Sequence, residues 1–137
     1  MRESRLTQAD LKQVMDLHYR IRRDREQLNK LEELASGVGS FATDNVKVQS
    51  SPAKSNGFAA AAADIDRLLD QEETELEYLC AKVESFIRTI TDSYKAQVIH
   101  YRYIEGLPWE LVADLTNYTI RHVYRIHDSL IETLPEE

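Results

Sequence analysis

The chain has one cysteine, Cys80, with three prolines and four glycines in 137 residues. A single thiol excludes an intrachain disulfide framework. So few turn-forming residues argue against an all-β protein built on many tight turns. No apolar run approaches the roughly 18 residues needed to cross a bilayer, so no membrane partner is expected. The opening residues, MRESRLTQADLKQ, lack the apolar stretch of a secretory leader, so an intracellular, soluble protein is expected. Motifs of catalysis are missing too: there is no C-x-x-C, H-E-x-x-H, P-loop or G-x-G-x-x-G. His122 and His127 are five residues apart, which points them to different faces of a helix. Cys80 has no Cys or His neighbour in sequence and lies beside Leu79, the pattern of a small buried hydrophobe. The carboxylates fall on helix faces, with no paired catalytic setting. These absences predict no enzyme, no metal site and no cofactor.

What the chain does have is helical periodicity. Residues 7–35 read as one long helix, about 40–45 Å at 1.5 Å per residue. Thr7 and Asp10 make a capping-box-like start. Val14, Leu17, Ile21, Asp24, Leu28, Leu31 and Ala35 then form a seam spaced by threes and fours, with Asp24 its polar interruption. Ser36, Gly37 and Gly39 stop it. A second long helix is predicted over 59–91, opening on the alanine run Ala59–Ala63. Its seam is Ile65, Leu69, Glu72, Leu76, Leu79, Val83, Phe86 and Ile90. Glu72 is the polar member, costly to bury unless paired.

The connection over 36–58 is rich in Ser, Gly and Asn and reads as a flexible linker. Asn45 to Ser50 alternates and suggests a short strand, with Phe41 and Phe58 pinning the linker's ends to the helical core. Two such amphipathic helices predict an antiparallel, coiled-coil-like hairpin, or association with a second copy. Arg20, Arg22, Arg23 and Arg25 on the first helix oppose Asp64, Asp66, Asp70, Glu72, Glu73, Glu75 and Glu77 on the second. Such runs either set the register or form solvated faces of little energetic weight.

The formal net charge is −7, unevenly spread. Residues 1–35 carry eight Lys/Arg against seven Asp/Glu, whereas 59–92 carry three against nine. This opposes loose nucleic-acid binding but not binding through one locally positive surface.

Residues 92–137 differ in character. Five of the seven tyrosines (Tyr94, Tyr101, Tyr103, Tyr118, Tyr124) and the single tryptophan, Trp109, are here. Three short helices are predicted. The first runs over 93–105, capped by Asp92 and stopped by Gly106. The second runs over 108–115 from Pro108. The third runs over 119–134 from Thr119.

The last two have helix-turn-helix spacing. Ala113 is small at the expected crossing, and Asn117 can take the left-handed turn position. Val123 and Ile126 would pack onto Val112 and Leu115, with Tyr118 closing the turn. Arg121, His122, Tyr124 and Arg125 are left outward, with Ile120 beside them, and no acidic residue falls between Thr119 and His127. A helix-turn-helix puts its second helix in the major groove, where Arg suits guanine or phosphate. The bland reading is a small helical hairpin whose arginines only solvate the surface.

The stretch Arg102-Tyr103-Ile104-Glu105-Gly106-Leu107-Pro108-Trp109-Glu110-Leu111-Val112-Ala113 resembles the start of sigma-factor region four. Thr119 to His127, TIRHVYRIH, is similar to that region's recognition helix. The likeness covers residues 93–134. The whole chain resembles small phage and prophage proteins of Gram-positive bacteria, related to RinA-like and ArpU-like regulators. Asn117 in place of glycine and the acidic Glu136-Glu137 depart from the pattern.

The resemblance implies DNA-binding control of phage genes in the bacterial cytoplasm, without the domains of a complete sigma factor. The expectation is therefore an all-α chain. Residues 1–91 form the long helical hairpin with linker 36–58, and residues 92–137 form a three-helix, sigma-region-four-like helix-turn-helix domain. Its partner would be double-stranded DNA, contacted by Arg121 and Arg125 with Thr119, His122 and Tyr124 in support. The long helices would bring copies together as a homo-oligomer or dock on RNA polymerase. Two alternatives stay open. One is a DNA-packaging recognition protein like a small terminase subunit. The other is an interaction module that binds RNA polymerase without DNA.

Overall fold

A computed structural model describes residues 5–36 and 52–137. All regular structure among the described residues is helical: α1 (Gln8–Ser36), α2 (Pro52–Arg88), α3 (Ser93–Ile99), α4 (Trp109–Thr116) and α5 (Ile120–Ile131), with a π-helical turn over His100–Ile104 directly after α3. No helix among them is long and apolar enough to cross a membrane. The short strand expected over 45–50 and the packing of Phe41 lie outside the described residues. Helix α2 begins seven residues earlier than its periodicity suggests, so 52–58 is helix rather than linker. Proline is well tolerated at a first helical position, and Gly57 weakens a helix without breaking it. Phe58 is half-buried.

The described chain forms two compact units, Met1–His18 with Glu75–Glu137, and Tyr19–Thr74. In the first, Leu11, Val14 and Leu17 pack with Leu79, Val83, Ile99 and Tyr103. Val14, Leu17, Val83 and Ile99 have no exposed surface. Truncating such a side chain costs about 2–5 kcal/mol. Polar pairs flank this core: the Lys82 ammonium is 3.0 Å from Asp10, and the Gln13 amide donates to Glu75 at 3.2 Å.

The first turn of α1 has every backbone donor satisfied. Thr7 and Asp10 form the reciprocal capping box, each backbone N–H reaching the other's side chain at 3.1 Å. The N–H groups of Gln8 and Ala9 donate to the carbonyls of Pro135 and Glu136, at 2.8 and 3.0 Å. The Gln8 side chain adds donations to the carbonyls of Ile131 and Leu134.

Asp92 caps α3, its carboxylate accepting from the backbone of Tyr94 and Lys95. The segment expected as one α-helix to residue 105 widens into the π turn at His100. Gly106 ends it with φ +70°, and a Cβ there would lie 2.7 Å from the His18 ring. His18 in turn donates from Nε2 to the Tyr103 carbonyl at 2.7 Å. Only glycine satisfies both the left-handed backbone and that close approach.

In the second unit, Ile21, Ala62 and Leu69 are buried together with Asp24 and Glu72. The two polar interruptions of the seams thus meet. The Glu72 carboxyl is raised above the ordinary glutamate range. Burial is the main cause, then the hydrogen bond to Asp24 and that carboxylate's charge, with Arg20 and Arg23 opposing. The Arg20 guanidinium is 4.0 Å from Glu72, and Arg23 is 3.8 Å from Asp24. Oδ2 of Asp24 and Oε1 of Glu72 are buried without a hydrogen-bond partner. Of the opposed charge runs, Arg25 pairs with Glu73 across the helices, while Arg67 pairs with Asp64 along its own. Leu28 and Leu31 are half-buried and Leu34 is exposed, so the apolar seam weakens toward the end of α1.

Candidate nucleic-acid interface

Helices α4 and α5 are joined by a tight turn in the first unit. Helix α4 starts at Trp109 with Pro108 as the extended residue before it, one place later than expected. Asn117 adopts φ 64°, ψ 29°, the left-handed conformation its position requires. Its backbone N–H and that of Tyr118 return to the last turn of α4, Tyr118 reaching the Ala113 carbonyl at 3.2 Å. Thr116 is buried, and its hydroxyl donates to the Val112 carbonyl at 2.8 Å. The Thr119 hydroxyl accepts from the His122 N–H at 3.1 Å and caps α5. Helix α5 ends at Ile131, three residues short of expectation, and residues 132–134 continue as turns.

Beneath the turn, Val98, Val112, Ala113, Val123 and Ile126 form one buried cluster, edged by Trp109, Tyr118 and Leu130. Leu115 was expected there but is 48% exposed, as is Leu111 at 40%. The two are four residues apart on α4 and share its outer side.

Each expected site residue on α5 can now be placed. Arg121 and Arg125 are exposed and one helical turn apart. Tyr124 is 44% exposed between them, with its ring edge-on to Trp109 at 5.2 Å. His122 is half-buried and edge-on to Tyr118 at 4.6 Å. Thr119 is exposed, but its hydroxyl is committed to the cap. Arg121, Tyr124 and Arg125 therefore form the outward group, with His122 at its margin and Thr119 building the helix start.

A second layer went unassigned in the sequence. Arg102 stacks over the Trp109 ring at 4.2 Å and donates to the Leu107 carbonyl at 2.9 Å. Trp109 also meets the His127 ring edge-on at 4.8 Å. His127 accepts from the Tyr103 hydroxyl at Nε2, 2.6 Å, and donates from Nδ1 to Asp128 at 3.0 Å. Burial pulls the His127 imidazole below its ordinary range, with Asp128 opposing, and pushes the Tyr103 phenol up to about 12. Arg102, Tyr103 and Trp109 were the visible signal for this layer in the sequence. Their mutual contacts were not.

Among the described residues no group of three or more His, Cys, Asp or Glu could hold a metal ion. Cys80 is half-buried, and burial pushes its thiol up, away from the reactive thiolate. The arrangement offers two guanidinium groups and an aromatic ring on the exposed side of a well-anchored helix. No protein-family model, curated protein or solved structure matches this chain.

Proposed function

We propose that the chain is a DNA-binding transcription regulator of the phage type, with α4 and α5 acting as a sigma-region-four-like helix-turn-helix. One observation carries the reading. Helix α5 locks Val123 and Ile126 into the core while presenting Arg121, Tyr124 and Arg125 to solvent, after a left-handed Asn117 turn. That division suits a helix whose outer face enters the major groove. In this reading α3 completes a three-helix domain. Helices α1 and α2 form an antiparallel hairpin that brings copies together or docks on RNA polymerase.

The test is a titration against fragments of the neighbouring genome at two salt concentrations, with wild type and Arg121→Ala/Arg125→Ala. Each phosphate contact contributes about −0.9 to the log–log salt slope, so the double variant is expected to lose roughly 1.8 from its magnitude if both arginines contact phosphate. If either reads a base, sequence preference falls by about 1–3 kcal/mol. Unchanged affinity, slope and preference would remove these residues from the interface.

The exposed Leu111 and Leu115 favour a second reading, a protein-docking face on α4. Retention of a polymerase subunit, with no DNA binding at low salt, would favour it over the first.

A further inference from the structure

We propose that the first unit contains an effector site for a small amphipathic carboxylate, built between the start of α1, the π turn and α5. A cavity of about 340 Å³ opens there. This is near the lower end of the range for small-molecule sites. Leu11, Met15 and Ile131 supply an apolar wall, and the remaining lining is polar and cationic.

The polar groups of the wall can be accounted for one by one. Gln8 spends its side-chain amide on the carbonyls of Ile131 and Leu134. Tyr103 donates its hydroxyl to His127, and His127 donates onward to Asp128. Burial holds that imidazole toward its neutral form. None of these three is free to take an anion.

Arg102 is different. Its Nε is buried and has no hydrogen-bond partner. It contacts the Leu107 carbonyl and the Trp109 ring, and no described carboxylate pairs with it. Glu110 acts on it only as a more distant charge. A guanidinium withdrawn in part from water is stabilised by a counter-ion. The π turn places this guanidinium in the cavity wall, and such turns are frequent at functional sites. Lys12 is exposed in the same lining and adds a second positive charge. An apolar wall beside one uncompensated guanidinium selects an anionic head on an apolar body.

The site has a route to α5. Arg102 covers Trp109, and Trp109 abuts Tyr124. A carboxylate that draws Arg102 toward the cavity weakens its hold on Trp109 and shifts the support of Tyr124. This regulatory clause rests on the DNA-binding reading above; the site itself does not.

Trp109 is the chain's single tryptophan, so its emission reports on the site through Arg102, which stacks on it. The experiment titrates the full chain with octanoate, using 1-octanol as the uncharged control. A saturable emission change with octanoate and none with octanol is expected. Arg102→Gln should weaken octanoate binding about tenfold or more, as for loss of a charged hydrogen bond. Met15→Phe, which fills the apolar wall and leaves Arg102 in place, should weaken it too. Should Arg102→Gln fail to fold, Met15→Phe decides.

No saturable change in the wild type, or an equal response to octanol, would overturn the site. So would full octanoate affinity in either folded variant. DNA affinity is then measured with and without saturating octanoate. A changed affinity supports the coupling, and an unchanged one removes it. Octanoate binding without any DNA binding would sink the regulator reading and leave the site standing.

Discussion

Leu17 and Glu72 both occupy inward seam positions, Leu17 in the unit that carries α3–α5 and Glu72 in the unit over Tyr19–Thr74. Leu17 is wholly enclosed by apolar neighbours. Glu72 is buried against Asp24, with Arg20 and Arg23 nearby. Apolar burial brings stability that is indifferent to pH. A buried carboxylate pair stabilises less than well-packed apolar residues of similar volume would. What it adds is a requirement: only a register that brings Asp24 to Glu72 gives each carboxylate its partner. The contrast separates a unit built to be firm from one whose pairing is specified at some energetic cost.

The sharpest way to break the comparison is Leu17→Ala. It should cost about 2–5 kcal/mol, the range for a fully buried leucine. Urea unfolding followed by Trp109 emission would measure it in the correct unit. A loss below 1 kcal/mol would mean that the apolar core is less closely packed than the burial of Leu17 indicates.

Next in size is pH dependence, where the two units should differ in sign. The raised Glu72 carboxyl contributes stability that is fully present below the ordinary glutamate range. That contribution is lost as pH rises through the raised value. The lowered His127 imidazole contributes stability present above the ordinary histidine range and lost as pH falls through the lowered value. Each unit of displacement is worth about 1.4 kcal/mol. Amide exchange along α2 near Leu69 should therefore speed up as pH rises, after correction for intrinsic rates, and Glu72→Gln should flatten that trend. Trp109-detected stability should fall on acidification, and His127→Gln should flatten that trend. The same sign in both units would defeat the assignment.

The smallest effect sharpens the picture of α5. Thr119→Ala should cost about 1 kcal/mol, because it removes the N-cap acceptor. On the proposed DNA-binding reading, a Thr119 that only caps predicts a variant with the wild-type salt slope, while Arg121→Ala/Arg125→Ala loses slope. A matching loss of slope would give the hydroxyl a direct part in binding.

Periodicity made the helices legible but not their partners. The bounds of α1 and the paired interruptions Asp24 and Glu72 could be read along the sequence. That the two carboxylates meet could not, because register between helices is a long-range property. The early start of α2 was hidden by Ser, Asn and Gly, which discourage a helix without forbidding it. The π turn left no trace, since one extra residue in a turn barely disturbs a 3.6-residue pattern. At the candidate site, Asn117, Thr119 and the outward arginines were visible from turn and cap chemistry. Leu115 misled because apolar character does not say which face of a short helix is covered. Arg102 and Trp109 lie seven residues apart in the sequence, and their stacking depends on the chain reversing at Gly106.

The carbonyls of Pro135 and Glu136 close the first turn of α1. The bond from Gln8 to Pro135 joins residues separated by nearly the whole described chain. During synthesis, α1 waits for the last of its acceptors until residue 136 has left the ribosome. Closing so long a loop is entropically costly and tends to be slow. Helix α1 therefore acquires its final hydrogen bonds long after its own residues are made, and the closing of its first turn is tied to the arrival of residues 135 and 136.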